Sequence, residues 1–464
     1  MEAAVPGRGL HAAPAGNPCA GSWAGCGNET IRAGTTLEGL AALKANGTID
    51  GKQYEDLSRL IEDEAAAEAQ EVAATPPVAA AKPGTLDVFW NQGIRMESAD
   101  GAFKLRLGGR LQNDWGILSP DQDLRDELSN EAGKGNGTDW RRARLALSGS
   151  VYERFGTKLE FDFAGGNAAL RDAYIEMLKL PWVGTARVGH FKEPMSLDEM
   201  TSDSYTMFIE RSVMNAFAPS RNTGFMVQNA PLEQRMTWAF GAFRATDDTS
   251  GNGFSQDTTY NLTGRVTGLP WYEEDGRHLL HLGAAVTQKF LDETSIRFQQ
   301  RPEVKLGNPS FVDTGTIPAN TTQVVNPELA LVYGPFSFQA EYAHAFVQSD
   351  QVEDPDFWGL YAQASWFLTG ESRPYKTSEG VFDRVVPERN FDLKGGLGAW
   401  EVALRYSHLD LDDADVDGGI LNDGTLGLSW YMNPNVRTSI NYVAANLDGV
   451  GWTNQFVTRF QIDF

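Results

Sequence analysis

An all-β transmembrane barrel of about 16 antiparallel strands is the fold class this sequence predicts, and three observations predict it. From Phe103 to Phe464 apolar and polar residues alternate in short runs, the period that sends successive side chains to opposite faces of a strand. No stretch holds the roughly 18 uninterrupted apolar residues of a membrane helix. The composition is rich in turn and girdle residues, with 48 Gly, 25 Phe, 13 Tyr and 12 Trp in 464 residues.

Four regions follow one another along the chain. Residues 1–34 are rich in Gly, Ala and Pro and read as a disordered tail. They lack the basic-then-apolar layout of a secretory signal and a lipobox before Cys19 or Cys26, so either the start is misassigned or a signal has been removed. The two cysteines either close a small disulfide or stay unpaired, and no zinc-site spacing is present. Residues 35–72 read as a helical hairpin of coiled-coil-like character. Leu37, Leu40 and Leu43 form one stripe, Asn46-Gly47 breaks it, and Tyr54, Leu57, Leu60 and Ile61 form a second. The wording from Leu40 through Asp50 to Leu57 is similar to the short SHOCT-type helical hairpin. So small a unit buries little alone, which points to self-association or docking. Residues 73–84 form a Pro/Ala linker, and the barrel domain occupies residues 85–464.

Within the barrel, Phe103, Leu105, Leu107, Leu111 and Trp115 share one face of the first strand, while Lys104, Arg106, Arg110, Gln112 and Asp114 share the other. Ala143, Leu145, Leu147 and Val151 oppose Arg142, Arg144 and Ser148; Leu159, Phe161 and Phe163 oppose Lys158, Glu160 and Asp162. The pattern recurs from Phe336 to Tyr342 and from Trp400 to Ser407, with Gly334-Pro335 as a hairpin turn. The last strand sets Phe456, Thr458, Phe460, Ile462 and Phe464 against Gln455, Arg459, Gln461 and Asp463. Leu86 to Glu97 is either a hairpin arm or part of the first strand. Ser119–Asp139 and Thr294–Thr322 read as outer loops and Asn433-Pro434-Asn435 as a turn at the periplasmic end. About 16 strands leave an aqueous channel rather than a filled core.

The formal charge of −23 excludes a nucleic-acid binder, which needs a basic face. It does not exclude an anion channel, because the field at a constriction depends on local charges. No nucleophile elbow is present and Ser407 and His408 face apart on a strand, so no enzyme and no cofactor is expected. Asp413, Asp415 and Asp417 fit the first half of a calcium-loop pattern, but Gly424 stands where its bidentate Glu belongs. A solvated acidic loop is the expectation there. His278 and His281 point to opposite faces of a strand and make poor metal ligands.

Several stretches together resemble the phosphate-selective porins O and P. They are Leu107–Gln112, Trp140–Leu145, Gly189–Leu197 running through Thr201-Ser202 to Ile209–Arg211, Phe367–Tyr375, Gly398–Val402 with Arg405–Ser407, and Leu426–Pro434. The resemblance covers Leu86 to Phe464. It implies a homotrimer of 16-stranded porins in the bacterial outer membrane, with lipid and the barrel-assembly machinery as partners, small anions as permeants and the N-terminal segment in the periplasm. Phe460, Ile462 and Phe464 resemble the insertion signal of bacterial outer-membrane barrels. By motif position Arg110, Arg141, Arg142 and Arg211 match arginines that line the family's anion path, which suits guanidinium groups because they stay charged and fork onto oxyanions. Alternation turns Arg142 and Arg144 inward and leaves Arg141 doubtful unless the strand bends there. Ser202 is retained, but Glu199 stands in place of a lysine and Asp203 in place of a serine. Lys192 stands for a tyrosine, Arg171 for an aspartate, and Thr259 and Thr263 lie where relatives carry arginines. The resulting expectation is a passive, weakly anion-preferring pore, with phosphate or polyphosphate as candidate solutes. The alternative is a structural barrel whose N-terminal helix tethers a partner or the cell wall.

Overall fold

The computed structural model describes residues 44–45, 50–60, 85–128, 135–246, 259–291 and 295–464. The tail, most of the helical hairpin, the linker and both cysteines lie outside the described residues. The chain divides into two units, Met1–Ala81 and Lys82–Phe464. In the first, residues 51–60 are helical. Asp50 caps this helix: its carboxylate accepts from the backbone N–H of Lys52 (2.9 Å) and Gln53 (2.7 Å), and the Gln53 side chain accepts from the Asp50 N–H (3.0 Å). That reciprocal pair satisfies donors a helix start leaves open.

The second unit is a closed antiparallel barrel. Its strands are β1 (Phe103–Pro120), β2 (Gly135–Val151), β3 (Phe155–Asp162), β4 (Ala169–Leu180), β5 (Gly184–Lys192), β6 (Arg221–Asn229), β7 (Met236–Arg244) and β8 (Tyr260–Glu273). The second half comprises β9 (His278–Phe290), β10 (Thr321–Tyr333), β11 (Phe336–Gln348), β12 (Asp356–Phe367), β13 (Ala399–Asp413), β14 (Val416–Asn433), β15 (Val436–Leu447) and β16 (Gly451–Asp463). Each strand pairs with its sequence neighbour, and β16 closes on β1 in a register running from Thr453 opposite Pro120 to Asp463 opposite Arg110. The 16-strand barrel expected from the alternation is borne out.

Leu86–Trp90 and Ile94–Ser98 form a hairpin arm that pairs with β1 below this seam, Ile94 opposite Leu107 and Glu97 opposite Lys104. The arm supplies partners for the part of β1 that β16 is too short to reach. Phe464 sits at the junction. Its N–H donates to the Gly109 carbonyl (2.9 Å), its carbonyl accepts from the Gly109 N–H (2.8 Å), and its ring stacks on Trp90 with centroids 6.3 Å apart.

The outer face is apolar along every strand, and Leu145, Val188, Phe225, Leu404, Leu426, Phe456 and Phe460 are all exposed. Aromatic contacts form two bands. Near the hairpin end Trp400 stacks on Trp430 (5.1 Å) and Phe336 meets Trp366 (6.4 Å); toward the other end Tyr342 meets Trp358 (6.1 Å) and Trp358 meets His408 (4.5 Å). Such girdles mark the two interfaces of a bilayer around a barrel. No helix among the described residues is long and apolar enough to cross a membrane.

The lumen is narrowed by segments folded into it. The loop after β9 does not stand outside as an outer loop. Phe298, Val304, Phe311, Val312 and Ile317 join the largest buried cluster, because their apolar surface is removed from water only inside the barrel. Its Glu303 is held by Arg405 (2.8 Å) and Thr425 (2.5 Å) on the wall. Residues 368–398, between β12 and β13, enter from the hairpin end, where Val381 and Phe382 pack with Leu197, Leu279 and Val332. Asp413, Asp415 and Asp417 are exposed, as a solvated acidic segment should be, but at a tight hairpin turn rather than in a long loop. Asp413 ends β13, Asp417 lies in β14, and the Asp413 carboxylate accepts from the Asp356 N–H (2.7 Å). In a two-residue hairpin turn these carboxylates cannot wrap one cation, and no metal-binding group of three or more acidic, His or Cys side chains occurs among the described residues.

Candidate functional site

Residues 193–220, the third loop at its end of the barrel, cross the lumen because the inner wall offers partners to the loop backbone. A short helix, Leu197–Met200, is capped by Ser196, whose hydroxyl accepts from Glu199 N–H (3.2 Å). Its first N–H groups, on Leu197 (3.0 Å) and Asp198 (2.8 Å), donate to the buried Glu341 carboxylate of β11. Arg437 of β15 donates to the carbonyls of Thr206 (2.7 Å) and Met207 (2.8 Å), and Gln461 of β16 to that of Ser204 (3.1 Å). Arg459 of β16 binds both Asp114 oxygens at 2.7 Å, Glu210 at 2.7 Å, and the Ile209 carbonyl. Phe208 reaches the wall where Gly427 leaves space: a Cβ there would sit 3.0 Å from its ring. Arg405 of β13 donates to the Glu210 carbonyl (3.0 Å) and Gln112 of β1 to that of Asp203 (3.3 Å), so the loop is fixed to β1, β11 and β13–β16.

Partly exposed basic side chains line the opposite wall: Lys158 on β3, Arg171 on β4, Arg187 and Lys192 on β5, and Arg221 at the start of β6. Each is paired with a carboxylate. Lys158 meets Glu160 (3.2 Å) and Asp172, Arg221 meets Asp172 (2.7 Å), Arg171 lies 3.8 Å from Asp162, and Arg187 donates to Glu176 (2.8 Å) while lying 4.1 Å over the Tyr174 ring. Below the loop, Met200, Thr185, Gln228, Thr237 and Glu379 line a cavity of about 250 Å³.

Arg110 pairs with Asp203 and lies 3.8 Å from Glu160; it also donates to the Ser202 hydroxyl (3.3 Å). Arg141 reaches the lumen after all. Gln112 opposes Arg142 and Asn113 opposes Trp140, so Arg141 is the extra residue of a β-bulge. From there it forks onto Glu210 at 2.7 and 3.0 Å. Arg142 and Arg144 lie deeper, 2.5 and 3.4 Å from Asp203. Arg211 donates to the carbonyls of Asp198 (2.8 Å), Glu199 (3.1 Å) and Thr201 (3.0 Å), so it shapes the loop as well as charging it. Glu199 is not a carboxylate facing the path: it is buried between Lys192 and Arg211, 3.2 Å from each. Burial alone would raise the Asp203 carboxyl, but Arg110, Arg142 and Arg144 outweigh that and hold it well below the usual carboxylate range. Thr263 is buried in the wall, where it binds Glu193 and Thr287 (2.7 Å). Glu160, Asp172, Glu210, Glu341 and Arg221 carry much of this arrangement, and apart from the inward alternation of Glu160 and Glu341 nothing in the sequence alone points to the roles they play.

A closed barrel whose wall arginines face an inward-folded loop is the arrangement that the known relatives of this chain explain. The model described as phosphate-selective porin O and P matches residues 105–464. The chain belongs to that family. Porin O of Pseudomonas aeruginosa is 27% identical over 416 residues, covering 80% of this chain and 91% of the relative. An uncharacterized protein of Caulobacter vibrioides is 30% identical over 388 residues, covering 81% of this chain and 75% of that one. Among solved structures, a loop L8 deletion mutant of OmpT, an outer membrane protein of Vibrio cholerae, superposes with a TM-score of 0.51 at 11% identity, covering 78% of this chain and all of that one. At that identity the superposition speaks for the fold alone. As a member of the porin O and P family with a closed barrel, the protein is a bacterial outer-membrane channel.

Proposed function

We infer that this porin passes small anions by diffusion with a weak preference over cations, phosphate and polyphosphate among them, without holding phosphate tightly. One observation carries the reading: at Lys158, Arg110, Arg171 and Lys192 the cation faces the water and a carboxylate is buried behind it, while Arg187 with Glu176 and Arg221 with Asp172 are about equally exposed. Side-chain exposure is 26% for Lys158 and 17% for Arg110 against 2% for Glu160, 24% for Arg171 against 4% for Asp162, and 17% for Lys192 against 3% for Glu199. A passing ion therefore meets guanidinium and ammonium groups first, and a low-dielectric wall focuses their field into the path. The carboxylates weaken that field, so the preference is small. Family membership supports assembly as a homotrimer, and the girdles support lipid contact around the rim.

The test is the double variant Lys158→Gln/Arg171→Gln in planar bilayers. Removing two exposed cations while leaving their carboxylates should lower the chloride-to-potassium permeability ratio severalfold, as read from the zero-current potential in a potassium chloride gradient. An unchanged ratio would place these groups outside the ion path and remove the support for anion preference.

A further inference from the structure

We propose that Asp203 is a tethered counterion: a third-loop carboxylate that occupies an oxyanion cradle built by Arg110, Arg142 and Arg144, so that the eyelet passes oxyanions without retaining them. The proposal rests on the anion-passing reading above and names the residue that sets its weakness.

The geometry points to Asp203 in three ways. Among the described residues it is the one carboxylate in contact with all three guanidinium groups, bonding to Arg110 and lying 2.5 Å from Arg142 and 3.4 Å from Arg144. It is also more exposed, at 12%, than Arg142 or Arg144, the reverse of Lys158, Arg171 and Lys192 with their buried carboxylates, and is surpassed only by Arg110 at 17%. Finally, it fits the cradle incompletely. Arg142 is buried and its Nε–H, although close to Asp203, has no hydrogen bond of acceptable direction. A planar carboxylate on a one-carbon stem cannot aim two oxygens at three forked donors, whereas a free tetrahedral oxyanion can turn to meet them. Beside the cradle, the Ser202 hydroxyl already accepts from Arg110 and keeps a proton to donate. Glu160 and Asp162 bind the back of Arg144 at 3.1 and 2.8 Å, so the cradle stays partly compensated if Asp203 loses its charge.

The occupant that would replace Asp203 is thus a small tetrahedral oxyanion, for which inorganic phosphate is the probe. Asp203→Asn keeps the side-chain shape and removes the charge; Asp203→Ser also opens space. In both, phosphate should block chloride current with a half-blocking concentration about 10- to 100-fold below that of the wild type, the range one charge-assisted contact spans. Phosphate should also raise the heat-denaturation midpoint of either variant more than that of the wild type, because a ligand stabilises the state that binds it. If the variants assemble poorly, refolding yield in phosphate against chloride serves instead, and a yield rescued only by phosphate supports the cradle. Variants that respond to phosphate as the wild type does, or equal refolding yields, would overturn the proposal. So would a wild type that already holds phosphate as tightly as the variants. Failure of the anion-passing reading appears separately, as a cation-selective zero-current potential in the wild type.

Discussion

Arg459→Ala is expected to cost about 3–5 kcal/mol of barrel stability and to loosen the third loop, the range for removing one partner from a buried charge pair. Arg459 is 3% exposed and engages Asp114 through both guanidinium arms. It also holds Glu210 and the Ile209 carbonyl of the loop. Truncation leaves Asp114 without its partner on the wall and Glu210 with Arg141 as its remaining ion pair. Lysine at this position should recover little, because a point charge cannot replace two parallel hydrogen bonds and a third to a carbonyl. The expected readings are a lower thermal midpoint in detergent and noisier, larger single-channel currents. A variant with wild-type midpoint and quiet conductance would show that the loop is held without Arg459.

Gly189→Ala should be almost as damaging. Gly189 has φ of +136°, and a Cβ built there would stand 2.2 Å from the Ala173 carbonyl oxygen and 2.6 Å from the Tyr174 Cα. Both obstacles are backbone of β4, so no side chain can swing aside. The cost is roughly 2–6 kcal/mol, combining about 1–3 for the strained φ and about 1–3 for overpacking. The strand would shift where β5 carries Lys192 toward the eyelet, so a lower midpoint should accompany a changed conductance. Near-normal values for both would mean that β5 can slide without disturbing the constriction.

The strands were legible because a period of two needs no knowledge of partners. The apolar outer face of Phe456, Phe460 and Ile462 and the inward Arg110, Arg142 and Arg144 follow from alternation alone. The position of Arg141 was not legible. Its entry into the lumen depends on a bulge, and a bulge is a property of two paired strands rather than of one sequence. For the same reason the pairing of Arg141 and Arg459 with Glu210, far apart in sequence, required the fold. Glu199 was legible as a departure from family pattern but not as a buried one, since the short helix that turns it under Lys192 depends on Glu341 of a distant strand. The inward course of the loop after β9 had a signal, the apolar Phe298, Val304, Phe311 and Ile317 within a polar insert, and length alone outweighed it. The segment between β12 and β13 carried similar apolar residues at Val381 and Phe382.

On the anion-passing reading, the placement of charge in the lumen, not the formal total of −23, sets selectivity. The most direct test is the zero-current potential of the wild-type channel across a tenfold potassium chloride gradient, measured first in dilute salt and then in salt concentrated to about 1 M, where screening falls to roughly 3 Å. Lumen cations in front of buried carboxylates predict a potential of the sign that favours chloride in dilute salt, shrinking in concentrated salt without changing sign. A potential that favours potassium in dilute salt and vanishes in concentrated salt would mean that the acidic total, not the lumen arginines and lysines, governs the pore.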